Sequence, residues 1–191
     1  MTFTPVSYDV RPFTPGDENG WVRCRTLAFL TTQYYDHVKP HRGKLDAPSI
    51  GLVATDSLGH VVGVLDIEVD GTEATIDTIA VHPDHQGRGL ATSLLEVALA
   101  AFSETRVTTL DAWTREDVAA NEWYRRNGFQ ERYRYLHVYL SDGDDSSGFR
   151  APEPLSKPHA AFAHGHIDDE DELRSRYQRV HVCRQYVRDL R

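Results

Sequence analysis

Apolar and polar positions alternate from Tyr8 to Phe13, which predicts a first strand, broken by Pro15-Gly16-Asp17. A helical spacing follows from Glu18 to about Thr32, with Trp21, Val22, Arg25 and Phe29 on one face. The less regular stretch from Gln33 to Pro48, with Tyr34, Tyr35, His37 and His41, reads as a short second helix plus a loop. Ile50 to Thr55 and Val61 to Val69 are strand patterns joined by Asp56-Ser57-Leu58-Gly59-His60, a hairpin connection. After a turn at Asp70-Gly71, Thr75 to Val81 gives a further strand ending at His82-Pro83.

From Arg88 to about Glu104 the spacing is helical again. Leu90, Leu94, Val97 and Ala101 form one stripe, and Leu95, Leu99 and Phe102 widen it into a face suited to packing on a sheet. Val107 to Trp113 predicts a strand. Thr114 and Asp117 suggest a capping box for a helix from Arg115 to Asn127, stopped by Gly128. Phe129 to Leu140 is strand, Ser141 to Gly148 and Ala151 to His159 read as a long loop, Asp168 to Arg179 as a short helix, and Val180 to Val187 as the last strand.

A chain of 191 residues, 40% apolar and 26% charged, is the size and composition of a single domain with a full core. The expected organisation is one α/β domain over 1–191, with an acidic loop-and-helix insertion at about 141–179 before the final strand. Two cysteines, Cys24 and Cys183, are too few for a disulfide framework and read as buried thiols of a cytoplasmic protein. No stretch has the length of a membrane span, and the first residues lack the pattern of a signal peptide. The net charge of −8 argues against a nucleic-acid surface. His159, His164 and His166 beside Asp168 and Asp169 lack metal-ligand spacing, so no metal is expected.

The most informative segment is Ile76 to Leu95, a strand, a proline turn, then Gly87 and Gly89 at the beginning of a helix. Such a helix start presents unpaired N–H groups and partial positive charge to a phosphate, and Arg88, His82 and His85 add a small basic patch. A nucleotide P-loop would need Lys-Ser or Lys-Thr after the glycines, and a dinucleotide fingerprint would need glycine where Thr92 stands. An oxidoreductase with a nucleotide fold is thereby disfavoured.

Gln86-Gly87-Arg88-Gly89-Leu90-Ala91 resembles the Q/R-x-x-G-x-G/A motif of the GNAT superfamily of acyl-CoA-dependent N-acyltransferases. Val81-His82-Pro83 before it, and Asn121 to Phe129 with its aromatic-Tyr pair and Gly-Phe, look like the family's flanking features. The resemblance implies a mixed, mostly antiparallel sheet with helices on both faces. It also implies acetyl-CoA as co-substrate, its pyrophosphate held by Gln86, Gly87, Arg88, Gly89, Leu90 and Ala91, its pantetheine arm by the backbone of Ile79, Ala80 and Val81.

The implied reaction is direct transfer of an acetyl group to a primary amine of a small molecule or peptide. It needs a neutral amine, a stabilised oxyanion and an acid for the departing thiolate. The family's acid falls on Tyr124, which otherwise reads as a core residue. For the base Asp77 is chosen over Glu68, Glu73 and His82, because it alternates with Ile79 and Val81 on the strand leading to the loop. Where the family commonly has a cofactor-contacting Asn this chain has Asp117, and Asn121, one turn on, is the expected substitute. A non-catalytic acyl-CoA-binding sensor is the alternative.

In the family, the counterparts of 21–41 and 141–179 shape the acceptor pocket. The acidity of 141–172, nine acids against two bases, would then draw in a cationic amine. Many members are homodimers, which makes Val180 to Val187 a candidate pairing strand.

Overall fold

The computed structural model describes residues 7–191. The elements are β1 (Asp9–Pro12), α1 (Glu18–Phe29), β2 (Ile50–Thr55), β3 (Val61–Asp70), β4 (Glu73–Val81), α2 (Leu90–Phe102), β5 (Thr109–Thr114), α3 (Val118–Arg126), β6 (Gln130–Leu140), β7 (Ala161–Gly165), α4 (Glu170–Arg176) and β8 (Arg179–Asp189). They form two compact units. The first comprises the described residues up to Ala112 with Asn127–Phe129 and Val187–Arg191, the second Trp113–Arg126 and Gln130–Tyr186. Among the described residues no helix is long and apolar enough to cross a membrane.

In the first unit the strand order is β1-β2-β3-β4-β5. The pairs from β1 to β4 are antiparallel, and β4 with β5 is parallel. The hydrophobic faces of the two helices explain why the sheet is covered on both sides. Trp21, Cys24 and Ala28, spaced three and four apart on α1, pack with Val53, Val64 and Ala80. The neighbouring positions Ala54 and Gly63 point the other way, and there Leu94 of α2 approaches so closely that a Cβ on Gly63 would lie 3.1 Å from its Cδ1.

Two expectations are corrected here. The buried stripe of α2 is Leu90, Leu94, Leu95, Ala98 and Phe102, while Val97 is 40% exposed and Ala101 also faces solvent. The stripe therefore follows the i, i+4 rows. No helix forms in 33–48. Pro40, Gly43 and Pro48 oppose one, and side-chain anchors take over. Arg25 Nη1 donates to the His37 carbonyl at 2.7 Å, and Arg42 clasps Asp66 through Nε at 2.9 Å and Nη2 at 2.6 Å.

The second unit has the order β8-β6-β7, with β6 and β7 antiparallel from Leu136↔Gly165 to Leu140↔Ala161. Leu136, Val138 and Leu140 pack with Tyr177, Val180 and Val182, and Leu173 of α4 closes that cluster. β7 was not expected from its small-residue sequence. Its Gly165 lies so close under α4 that a Cβ would meet Leu173 Cδ1 at 2.5 Å. The capping box is also corrected. Thr114 ends β5, and Asp117 itself caps α3, its Oδ1 accepting the Ala120 N–H at 3.0 Å.

Candidate active site

β4 has an open edge. Its pairing with β5 runs from Glu73↔Thr109 to Ile76↔Ala112, whereas its pairing with β3 continues to Val81. Where the main chain points there follows from one bond. The His82 N–H donates to the Val62 carbonyl at 2.9 Å, so Ala80, opposite Val64, bonds towards β3, and Ile79 and Val81 turn their N–H and C=O away from it. The backbone bonds expected of Ile79, Ala80 and Val81 therefore narrow to Ile79 and Val81. Gln86 caps the end of that edge, its Nε2 donating to the Val81 carbonyl at 3.1 Å.

The strand runs into the glycine turn. Gly87 and Gly89 have φ of +71° and +80°, and a Cβ at either would meet nothing within 4 Å. The space above both is open, and Gly89 is the residue from which α2 starts. Only glycine takes this backbone twice in three residues at low cost. The Gln86 N–H, expected to face a phosphate, instead donates to the Pro83 carbonyl at 3.3 Å. Arg88 is folded back. Its Nη1 donates to the Tyr8 hydroxyl at 2.8 Å and its Nη2 to the Asp84 carbonyl at 3.1 Å, and the Tyr8 hydroxyl lies within hydrogen-bond distance of His85 Nδ1, at 3.0 Å.

Asp77 does not alternate with Ile79 and Val81 as the sequence suggests. The β3 register jumps from Asp66↔Thr78 to Ile67↔Ile76, so Asp77 is the extra residue of a bulge, which re-aims its side chain. Lys39 Nζ donates to both its oxygens, at 3.1 and 2.8 Å, and the Thr78 hydroxyl donates at 2.9 Å. Burial alone would raise this carboxyl. The Lys39 hydrogen bond and charge, the Thr78 hydroxyl and the Arg25 charge outweigh it and hold the carboxyl below its usual range. Of its competitors, Glu68 and Glu73 are exposed on their strands, and His82 Nδ1 accepts the Asp84 N–H at 3.3 Å. Cys24, buried beneath this sheet, has its thiol pushed up to about 12 by burial, so it is no nucleophile.

In the second unit Tyr124 is 5% exposed and stacked on Tyr186, ring centroids 5.3 Å apart and 12° from parallel. Asn121 is committed to the fold rather than presented to a cofactor. Its Nδ2 donates to the Arg115 and Asp117 carbonyls, both at 2.6 Å, and its Oδ1 accepts the Tyr186 hydroxyl at 2.9 Å. Sequence reading missed fully buried Arg115, whose Nε donates to His137 Nδ1 at 3.2 Å and whose Nη2 bonds the Tyr139 hydroxyl. An arginine in a helix-like run gives no signal of such burial. His164 stacks on His137, and His166 accepts the Asp168 N–H, so both have local structural partners.

Residues 47–131 match the profile described as Acetyltransferase (GNAT) domain. This stretch is similar to the GNAT superfamily. The GNAT match takes in β2 to α3, and hence the open β4 edge, the glycine turn and Tyr124. Mycothiol acetyltransferase from Clavibacter sepedonicus is 29% identical over 136 residues, 66% of this chain. A second, from Clavibacter michiganensis subsp. michiganensis, is 28% identical over the same length. The matched stretch spans only 44% of either relative. Among solved structures, the ribosomal-protein-S18-alanine N-acetyltransferase from Escherichia coli shares the fold with a TM-score of 0.61 at 17% identity, over 96% of this chain and 94% of that one. The mixed, mostly antiparallel sheet expected of a GNAT protein is what the strand pairs display.

Proposed function

We propose that the protein is an acetyl-CoA-dependent N-acetyltransferase that moves the acetyl group directly to a primary amine of a small molecule or peptide. The observation that carries this reading is the open β4 edge followed, after one 3-10 turn at Pro83–His85, by a glycine turn at the start of a 13-residue helix. An extended arm with two amides fits the first, and a pyrophosphate fits the second. Gly87, Gly89, Leu90 and Ala91 receive the pyrophosphate, and Ile79 and Val81 pair with the pantetheine arm. Tyr124 protonates the departing thiolate, whose ordinary pKa near 8.5 makes a neutral phenol a competent donor.

Asp77 holds the acceptor's ammonium and takes its proton. In the resting protein Lys39 keeps it a weak base, so its basicity rises when that ammonium leaves. The names of the relatives, for mycothiol and for an alanine of a ribosomal protein, support an amine acceptor without choosing among amines. The test is release of free CoA from acetyl-CoA across polyamines, aminoglycosides, amino acids and peptide N-termini. Acceptor-dependent release supports the enzyme. Tight acetyl-CoA binding with no release across the panel favours the sensor.

A further inference from the structure

Lys39 stands in the middle of a strap. The segment between α1 and β2 is pinned on one side by Arg25 at the His37 carbonyl and on the other by Arg42, whose N–H donates to Glu18 Oε1 at 2.7 Å while its guanidinium holds Asp66. Between the two pins the Lys39 ammonium is delivered to both oxygens of Asp77. The neighbouring charges are Arg25 and Asp66. Lys39 and Asp77 side chains are 38% and 36% exposed, so the pair is reachable.

The place matters more than the pair. Asp77 lies on β4 just before Ile79, beyond the point where β5 stops pairing. On the reading proposed above, a pantetheine arm that starts from the glycine turn and follows Val81 and Ile79 brings its sulfur end towards Asp77. An amine is already held there.

We propose that Lys39 is a site of self-acetylation and the first acceptor the protein meets. The ammonium loses one proton to solvent by way of Asp77. The neutral Nζ then forms a bond to the thioester carbon as the C–S bond breaks, and the second nitrogen proton accounts for the thiol of the released CoA. The balance is one ammonium and one acetyl-CoA giving one amide, one CoA thiol and one proton. The acetylated side chain carries no charge, so its ion pair with Asp77 is lost. That carboxylate then becomes open to the ammonium of another acceptor, and Lys39 is a stopper that the first turnover removes.

The sequence supplies its own controls, because the chain has three lysines, Lys39, Lys44 and Lys157. Lys44, 83% exposed, reports purely chemical acetylation. The full chain is incubated with isotope-labelled acetyl-CoA and the label at each lysine is followed by peptide mass spectrometry, with acetyl-CoA binding measured by calorimetry in the same preparation. Lys39 is expected to take up label at least about tenfold faster than Lys44 and Lys157, the advantage of a held amine over a colliding one. Asp77→Asn should remove that advantage and leave Lys44 unchanged. Equal labelling of all three lysines, or no label at Lys39 in a sample that binds acetyl-CoA, overturns self-acetylation while leaving the N-acetyltransferase reading in place. Failure to bind acetyl-CoA overturns both.

Discussion

Arg42 closes on Asp66 from two nitrogens, and Trp21 Nε1 donates to the same carboxylate at 3.0 Å. The side chains are only 10% and 3% exposed, so a residue of an irregular segment completes a buried ion pair on a central strand. Burial is the larger influence on Asp66 and raises its carboxyl, despite Arg42. Arg42→Met leaves that carboxylate without its cation and is expected to cost about 3 kcal/mol. Urea unfolding checks this, and the variant should also release the strap, seen as faster proteolysis within 33–48.

Gly89→Ala tests the glycine turn. The new Cβ meets no protein atom, so only the left-handed backbone resists it, at about 1–2 kcal/mol. The Cβ does stand in the open space over the turn. An increase of about tenfold or more in the acetyl-CoA KM is expected, with a nearly unchanged circular dichroism spectrum.

Tyr124→Phe keeps the ring that stacks on Tyr186 and removes the proposed acid. kcat should fall about 100-fold while acetyl-CoA affinity by calorimetry stays within a factor of about two. Unchanged kcat with a competent acceptor would reduce Tyr124 to a packing residue.

Asp17 gives the stability a defined acid limb. Its carboxyl accepts two hydrogen bonds from Arg11, both at 2.8 Å, and two from Thr14, at 2.8 and 2.9 Å. Arg11 foremost, then Thr14, overcome burial and hold it far below the usual carboxylate range. The native state therefore binds fewer protons than the unfolded chain below about pH 4, and this contribution, full above that pH, is lost as pH falls. Arg11 is 36% exposed, which weakens its share, so Asp17→Asn is expected to cost about 1–2 kcal/mol at neutral pH. Urea midpoints of the two proteins should converge on acidification.

The sequence made the regular strands legible because Leu52 to Ala54 and Val62 to Leu65 are apolar runs whose burial any sheet of this kind requires. The glycine turn was legible for a similar reason, since two positive φ values in three residues leave little choice of residue. What sequence could not carry was information held at long range. The bulge at Asp77 is visible only against the β3 register, and the strap of 33–48 only through Arg25, Asp66 and Asp77, which lie outside it. The partners of Asn121 are hidden from the sequence in the same way. Its amide is spent on Arg115, Asp117 and Tyr186, the last of these 65 residues along the chain.

An unzipped strand edge has a cost when nothing lies along it. The outward amides of Ile79 and Val81 are exchangeable with solvent and are a template for any extended chain, including another copy of the same edge. A ligand that pairs with them is, in effect, a removable strand. Loading should slow hydrogen exchange at these two amides and raise the melting temperature with the logarithm of ligand concentration. The supply of co-substrate would thus govern how long the protein lasts as well as how fast it works.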